Sequence, residues 1–122
     1  MAGRVNIDML AGPSELCVLC DVQADPITIA ADLLAQAEHD TDAVPMLVVV
    51  ASGAKEAEGL LSRVEAELAK QLAALPSPNR ETATASLKNN GFACVCHDMD
   101  TAISVCDRIA PEHLELLIKV EH

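Results

Sequence analysis

Aromatic residues are nearly missing from this sequence: there is no Trp and no Tyr, and Phe92 is the single Phe in 122 residues. Its core must therefore be built from Ala, Val, Leu and Ile, as in layered α/β domains, and an all-β sandwich is disfavoured. Basic residues are scarce too, with 8 Lys and Arg against 19 Asp and Glu and a formal charge of -11. Binding to nucleic acid relies on Lys and Arg displacing counterions from the phosphate backbone, so nucleic acid is not an expected partner. Long apolar runs are also lacking. The strongest, from Val44 to Ala51, falls far short of the roughly 20 residues that cross a bilayer, and no membrane association is expected. The start Met1-Ala2-Gly3-Arg4 leads into polar residues rather than a signal-peptide apolar region, which points to the cytoplasm, or to a plastid if a targeting peptide precedes this sequence. No G-x-G-x-x-G occurs, so the chain carries no dinucleotide-binding fingerprint.

What is present is enough apolar material, 51% of residues, for the core of one small domain. Five cysteines, Cys17, Cys20, Cys94, Cys96 and Cys106, all sit inside apolar runs. An odd number in such places suits reduced core thiols better than disulfides. Cys17-x-x-Cys20 invites a redox or zinc reading, but it lies in a strand-like run with no helix start behind it to lower a thiol pKa. Cys94-x-Cys96-His97 offers metal ligands on paper, yet strand alternation sends the two thiols to one face and His97 to the other.

Apolar runs and helical periodicities alternate along the chain. Leu16 to Cys20 reads as a buried strand. Asp25-Pro26 opens a helix, with Asp as cap and Pro at the first position, and Ile27, Ala30, Leu33, Leu34 and Ala37 form its stripe to an end near His39-Asp40. Met46 to Ala51 is a second strand. A long helix from Ala54 to about Leu75 stops at Pro76 and Pro78, and a shorter one runs to Asn89. Asn90-Gly91 should close that helix in the left-handed region before a third strand, Phe92 to Cys96. Asp98 or Asp100 caps a last helix through Ile109, Pro111 terminates it, and Leu114 to Val120 is a fourth strand. The alternation predicts an α/β fold: a mostly parallel sheet with helices packed on its faces, an incomplete Rossmann-like layer formed by one segment over residues 1–122.

Three places carry polar residues that a purely structural chain would not need. Ala11-Gly12-Pro13-Ser14-Glu15 precedes the first strand, and taken alone it is a turn. Gln36 and His39, at i and i+3 near the end of the first helix, project from one face and can share a ligand. Their structural reading is a solvated helix end with a histidine favoured at the negative pole of the dipole, and Gln is an uncommon zinc ligand. Ala110-Pro111-Glu112-His113-Leu114 sets a carboxylate beside an imidazole, the two commonest general acid–base groups. That loop precedes its strand, whereas ligands of α/β sheets usually gather at carboxyl ends.

Together these places resemble the histidinol dehydrogenase family. The runs Val5-Asn6-Ile7-Asp8-Met9, Ala11-Gly12-Pro13-Ser14-Glu15, Ala31-Asp32-Leu33-Leu34-Ala35-Gln36-Ala37-Glu38-His39 and Ala110-Pro111-Glu112-His113-Leu114 occur in that order and at similar spacing. The resemblance extends over essentially the whole chain, which corresponds to a middle portion of the enzyme. It implies NAD-dependent oxidation of L-histidinol to L-histidine in two hydride transfers, a bound zinc, and a homodimer. It further implies that Gln36 and His39 are zinc ligands that also bind substrate, that Ser14 contacts substrate, and that Glu112 and His113 are the catalytic pair. The family's other zinc ligands, an Asp and a His, would lie beyond His122 and its NAD site mainly before Met1, so this chain alone is expected to be inactive. Leu10 and the cysteines at 17, 20, 94 and 96 depart from the family's usual Pro and aliphatic residues. Two other readings stand beside this one. One is a stand-alone module that binds a metal or an imidazole compound. The other is an inactive relic that docks a partner or self-associates through exposed apolar surface.

Overall fold

In the computed structural model, which describes residues 15–118, strands and helices alternate as the apolar pattern predicts. Strand β1 (Glu15–Asp21) is followed by helix α1 (Pro26–Ala37), β2 (Val44–Val50), α2 (Ala54–Ala73), α3 (Asn79–Asn90), β3 (Phe92–Cys96), α4 (Met99–Ile109) and β4 (His113–Leu117). Every strand pair is parallel, in the order β3-β2-β1-β4. The chain thus winds outward from β1 to β3, and α4 then carries it back over the sheet to the opposite side of β1.

The alternation of side chains divides the core in two. Val18 and Cys20 of β1, with Leu47 and Val49 of β2, meet Ile29 and Leu33 of α1 and Leu60 and Val64 of α2. On the other face Cys17, Leu19, Met46 and Val48 pack with Ala102 and Cys106 of α4. Cover on both faces is why β1 and β2 read as unbroken apolar runs. The second face has one helix only, and it leaves Leu114 and Leu116 of the edge strand β4 largely exposed. None of the described helices is long and apolar enough to cross a membrane.

Local chemistry sets the ends of the elements. The Asp25 carboxylate accepts from the Ile27 N–H at 2.9 Å, and Pro26 starts α1. That helix ends at Ala37, just short of the expected His39-Asp40: the Glu38 N–H still bonds the Leu34 carbonyl, but the His39 N–H tightens onto the Gln36 carbonyl, three residues back. At α4, Asp98 rather than Asp100 is the cap, accepting from the Thr101 N–H at 2.7 Å. Those hydrogen bonds hold its carboxyl below the usual range.

Two helix ends differ from expectation. Gly91 is not left-handed; its backbone is extended, with φ -75° and ψ 143°. Glycine is needed there for closeness instead, since a Cβ would lie 2.8 Å from the Leu87 carbonyl oxygen. The left-handed residue is Ala110, with φ 47° and its N–H on the Cys106 carbonyl at 2.8 Å. The following Pro111 disfavours a further helical residue at this position, and the αL turn satisfies the helix end. Strand β2 also begins two residues before Met46 and passes through Pro45. Pro45 sits where only β1 is paired, since the ladder to β3 starts at Met46, so fewer bonds depend on its missing N–H.

Candidate active site

Helix α1 runs back against the strands, so its last turn lies beside the amino ends of β1 and β4. There Leu16 of β1 pairs with His113, the first residue of β4. A shallow pocket of about 320 Å³ opens at this junction, lined by Asp32, Gln36 and His39 on the α1 side and by His113 and Glu115 on β4, with Leu16 between them. Three of the five residues singled out in the sequence therefore face one cavity. Glu112 adjoins it through His113, whose Nε2 is 3.7 Å from the Glu112 Oε1. That distance is too long for a hydrogen bond, and both side chains are largely exposed, at 60% for Glu112 and 66% for His113. Ser14 lies outside the described residues.

The end of α1 is fixed from behind. Asn79 of α3 donates to the Glu38 carboxylate at 3.0 Å, and Asn90 donates to the Thr41 carbonyl at 2.9 Å. The buried Ser86 hydroxyl donates to the Ala43 carbonyl at 2.8 Å. These polar ties from α3 hold the turn that carries His39.

The His39 ring is in turn oriented by its own helix. Its Nδ1 is 2.9 Å from the Ala35 carbonyl oxygen. A carbonyl only accepts, so Nδ1 bears the proton and the Nε2 lone pair of the neutral ring remains available. Metal-binding histidines are commonly held this way, one nitrogen on a backbone carbonyl and the other on the ion. Gln36, one turn earlier, is only 9% exposed, and its Nε2 is buried without a hydrogen-bond partner. A buried amide of this kind is uncommon in a helix that serves packing alone.

Two further residues of this pocket were not singled out in the sequence. Glu115 interrupts the apolar run of β4 and shares a strand face with His113. Asp32 precedes Gln36 by one helical turn. Burial, then the side-chain hydrogen bond and charge of Asp32, push the Glu115 carboxyl up to about 7. Its Oε1 is buried and unpartnered. The interrupted run and the four-residue spacing of Asp32 and Gln36 were the available signals.

The cysteines serve packing. Cys17 and Cys20 occupy opposite faces of β1 and cannot share a metal. Burial pushes both thiols up to about 12. Cys94 and Cys96 lie on one face with their Sγ atoms 3.9 Å apart, and Cys17 and Cys106 are equally close. All five thiols are free. Among the described residues, no group of three or more His, Cys, Asp or Glu side chains is placed to hold a metal ion. A metal ion held through Gln36 and His39 would need donors beyond these two.

Two other hollows are less suited to chemistry. The larger of the two, of about 660 Å³, is walled by leucines such as Leu33, Leu61 and Leu68 with Glu58, Ser62 and Glu65 beside them, and none of these has an unpartnered buried polar atom. The crevice at the carboxyl ends of β1 and β4, where α/β sheets usually bind ligands, measures about 360 Å³. Its Asp25 is already engaged in capping α1.

Comparison with known proteins places these residues in a family context. The sequence model of the family described as histidinol dehydrogenase matches residues 1–122. The histidinol dehydrogenase of Halalkalibacterium halodurans is 46% identical over 115 residues, which is 94% of this chain and 25% of that protein. For that of Thiocapsa roseopersicina the identity is 47% over 118 residues, 96% of this chain and 47% of the relative. A crystal structure of histidinol dehydrogenase from Elizabethkingia anophelis superposes on 92% of this chain with a TM-score of 0.73 and 35% identity, and 24% of that chain is covered. The chain thus spans about a quarter to a half of the length of these proteins.

Proposed function

The chain belongs to the histidinol dehydrogenase family, and from that premise we propose that it supplies one wall of an active site that oxidises L-histidinol to L-histidine in two successive hydride transfers to NAD. The observation that carries this reading is the gathering of Gln36, His39 and His113 around one pocket, although α1 and β4 are far apart along the chain. Chance placement of family-like residues would not bring them to one end of the sheet.

In this reading His113 is the proton acceptor. Its imidazole takes the hydroxyl proton of the alcohol, and electron density on that oxygen then helps expel hydride from the adjacent carbon. After the first transfer the product is an aldehyde, which must add water before it can lose a second hydride. Glu112, beside His113 and exposed, takes a proton from that water, and His113 accepts again in the second oxidation. Each transfer moves one hydride to NAD and releases one proton, and ionisation of the resulting acid releases a third, so the alcohol reaches the carboxylate with two NAD reduced and one water consumed.

Zinc fits the donors that are present. Gln36 offers an amide oxygen and His39 an Nε2 lone pair, with its Nδ1 proton tied to Ala35. Zinc would supply a charge that orients the imidazole and amino groups of the substrate. Two donors would hold the ion weakly, so further ligands must come from elsewhere in the enzyme, as would the NAD site and the homodimeric partner that the family implies. By itself the chain is inactive.

A chimera tests this. The corresponding quarter of the Halalkalibacterium halodurans enzyme is replaced by this chain, and histidinol-dependent NADH formation is followed at 340 nm. Activity in the chimera that falls at least ~100-fold in His113→Ala supports the role of His113 as proton acceptor. Unchanged activity in His113→Ala would refute it.

A further inference from the structure

The pocket at the amino end of the sheet contains two polar atoms left without partners, and they are complementary. Gln36 Nε2 is a donor and Glu115 Oε1 an acceptor; both are closed off from solvent, and both residues line the same cavity. Glu115 also stands in β4 between His113 and Leu117 on the face turned toward α1, opposite the buried Val18 of β1, where packing alone would favour an aliphatic side chain. Burial and the facing Asp32 both disfavour its charged form. A carboxyl kept at such a position has something to hold.

We propose that Glu115, braced by Asp32, is the positioning residue of Gln36: its Oε1 takes the hydrogen bond of the Gln36 Nε2, directly or through one bridging water, and so fixes which end of the amide faces the ligand. An amide has two unlike ends that differ little in shape, and only the oxygen is suited to a cation. A carboxyl in front of the N–H end removes the ambiguity, as outer partners do for metal-binding histidines. His39 and Gln36 are then held by the same logic, the first by the Ala35 carbonyl and the second from β4. Strand β4 supplies His113 and Glu115 from one face, so it orients the α1 donors and presents the proton acceptor together. The inference rests on the reading of Gln36 and His39 as ligands of one site, but the contact itself is read without metal.

The test uses the ¹⁵N-labelled 122-residue chain, in which the Gln36 side-chain NH₂ signals are assigned by their loss in Gln36→Leu. In metal-free protein, Glu115→Leu should move these signals and speed their exchange with water, Asp32→Asn should move them less, and Glu115→Gln, which keeps an acceptor oxygen, should restore them. Stationary Gln36 signals in both Glu115→Leu and Asp32→Asn, with the backbone spectrum intact, would overturn the proposal. Zinc is then added. Glu115→Leu should weaken zinc binding by ~10-fold or more and Glu115→Gln by much less; equal affinity in wild type and Glu115→Leu would also overturn it. If zinc leaves the His39 ring signals of the wild-type chain unmoved, the metal reading fails, and the metal-free arm still decides the Gln36–Glu115 contact.

Discussion

Replacing Glu115 by Gln should make the folded chain more stable at pH 8 and leave it nearly unchanged at pH 4. The Glu115 carboxyl is raised from 4.5 to about 7 in the folded state, first by burial and then by Asp32. A raised carboxyl binds its proton more tightly when folded, so its stabilising share is complete below about pH 4.5 and is lost as the pH rises through about 7. Each unit of displacement corresponds to about 1.4 kcal/mol, which caps the loss at about 3.5 kcal/mol. Because the Glu115 side chain keeps some access to water, a loss of ~1–3 kcal/mol is the expected range. Gln is neutral at every pH and escapes it. Other shifted groups do not interfere in this window: the carboxyls of Asp98 and Glu81 are lowered and act below it, and the thiols of Cys17, Cys20 and Cys96 are raised to about 11 or 12 and act above it. Urea unfolding at a series of pH values from 4 to 8 reads the effect directly. The wild-type midpoint should fall by about 1 M across that range relative to the variant, given a slope of roughly 1–3 kcal/mol per M. Parallel curves for the two proteins, or a variant less stable at pH 8, would refute the reasoning.

Other perturbations have equally definite outcomes. Gly91→Ala sets a methyl 2.8 Å from the Leu87 carbonyl oxygen and should cost about 1–3 kcal/mol, whereas Ala110→Gly relieves the left-handed alanine at φ 47° and should add about 1 kcal/mol; thermal melts of the two variants should move in opposite directions. The buried thiols of Cys17 and Cys20 should react with a disulfide reagent at pH 8 only as the chain unfolds, so that urea speeds the reaction by orders of magnitude. Leu114 and Leu116, 49% and 60% exposed on edge strand β4, should drive self-association. The double variant Leu114→Glu, Leu116→Glu should sediment as a smaller species than wild type at the same concentration.

The elements were legible because their signals are local. The Asp25-Pro26 start and most of the α1 stripe are read within one helix, although Ile27, expected in that stripe, is exposed and Ile29 is buried in its place; the apolar runs of β1 and β2 follow from their burial on both faces. Boundaries were less so where a residue acts through something distant: Gly91 answers to the Leu87 carbonyl rather than to its own dihedral angles, and Pro45 is tolerated because of where β3 begins to pair. Within the site, Gln36 and His39 share a helix face by spacing alone. Their union with His113 depends on β4 lying beside β1, a consequence of sheet order that no periodicity reports. The Asp32–Glu115 pair is hidden for the same reason, since each reads as an ordinary charge until α1 is laid against β4. The convergence of Cys17 and Cys106 under α4 likewise joins residues that only the crossover brings together.

The most direct measurement of a single site formed by α1 and β4 is an NMR titration of the labelled chain with L-histidinol in the presence of excess zinc. The His39 and His113 ring signals and the Gln36 side-chain amide should move together along one binding curve, with a single dissociation constant. Separate curves for the α1 and β4 residues, or movement on one element while the other stays silent, would contradict it.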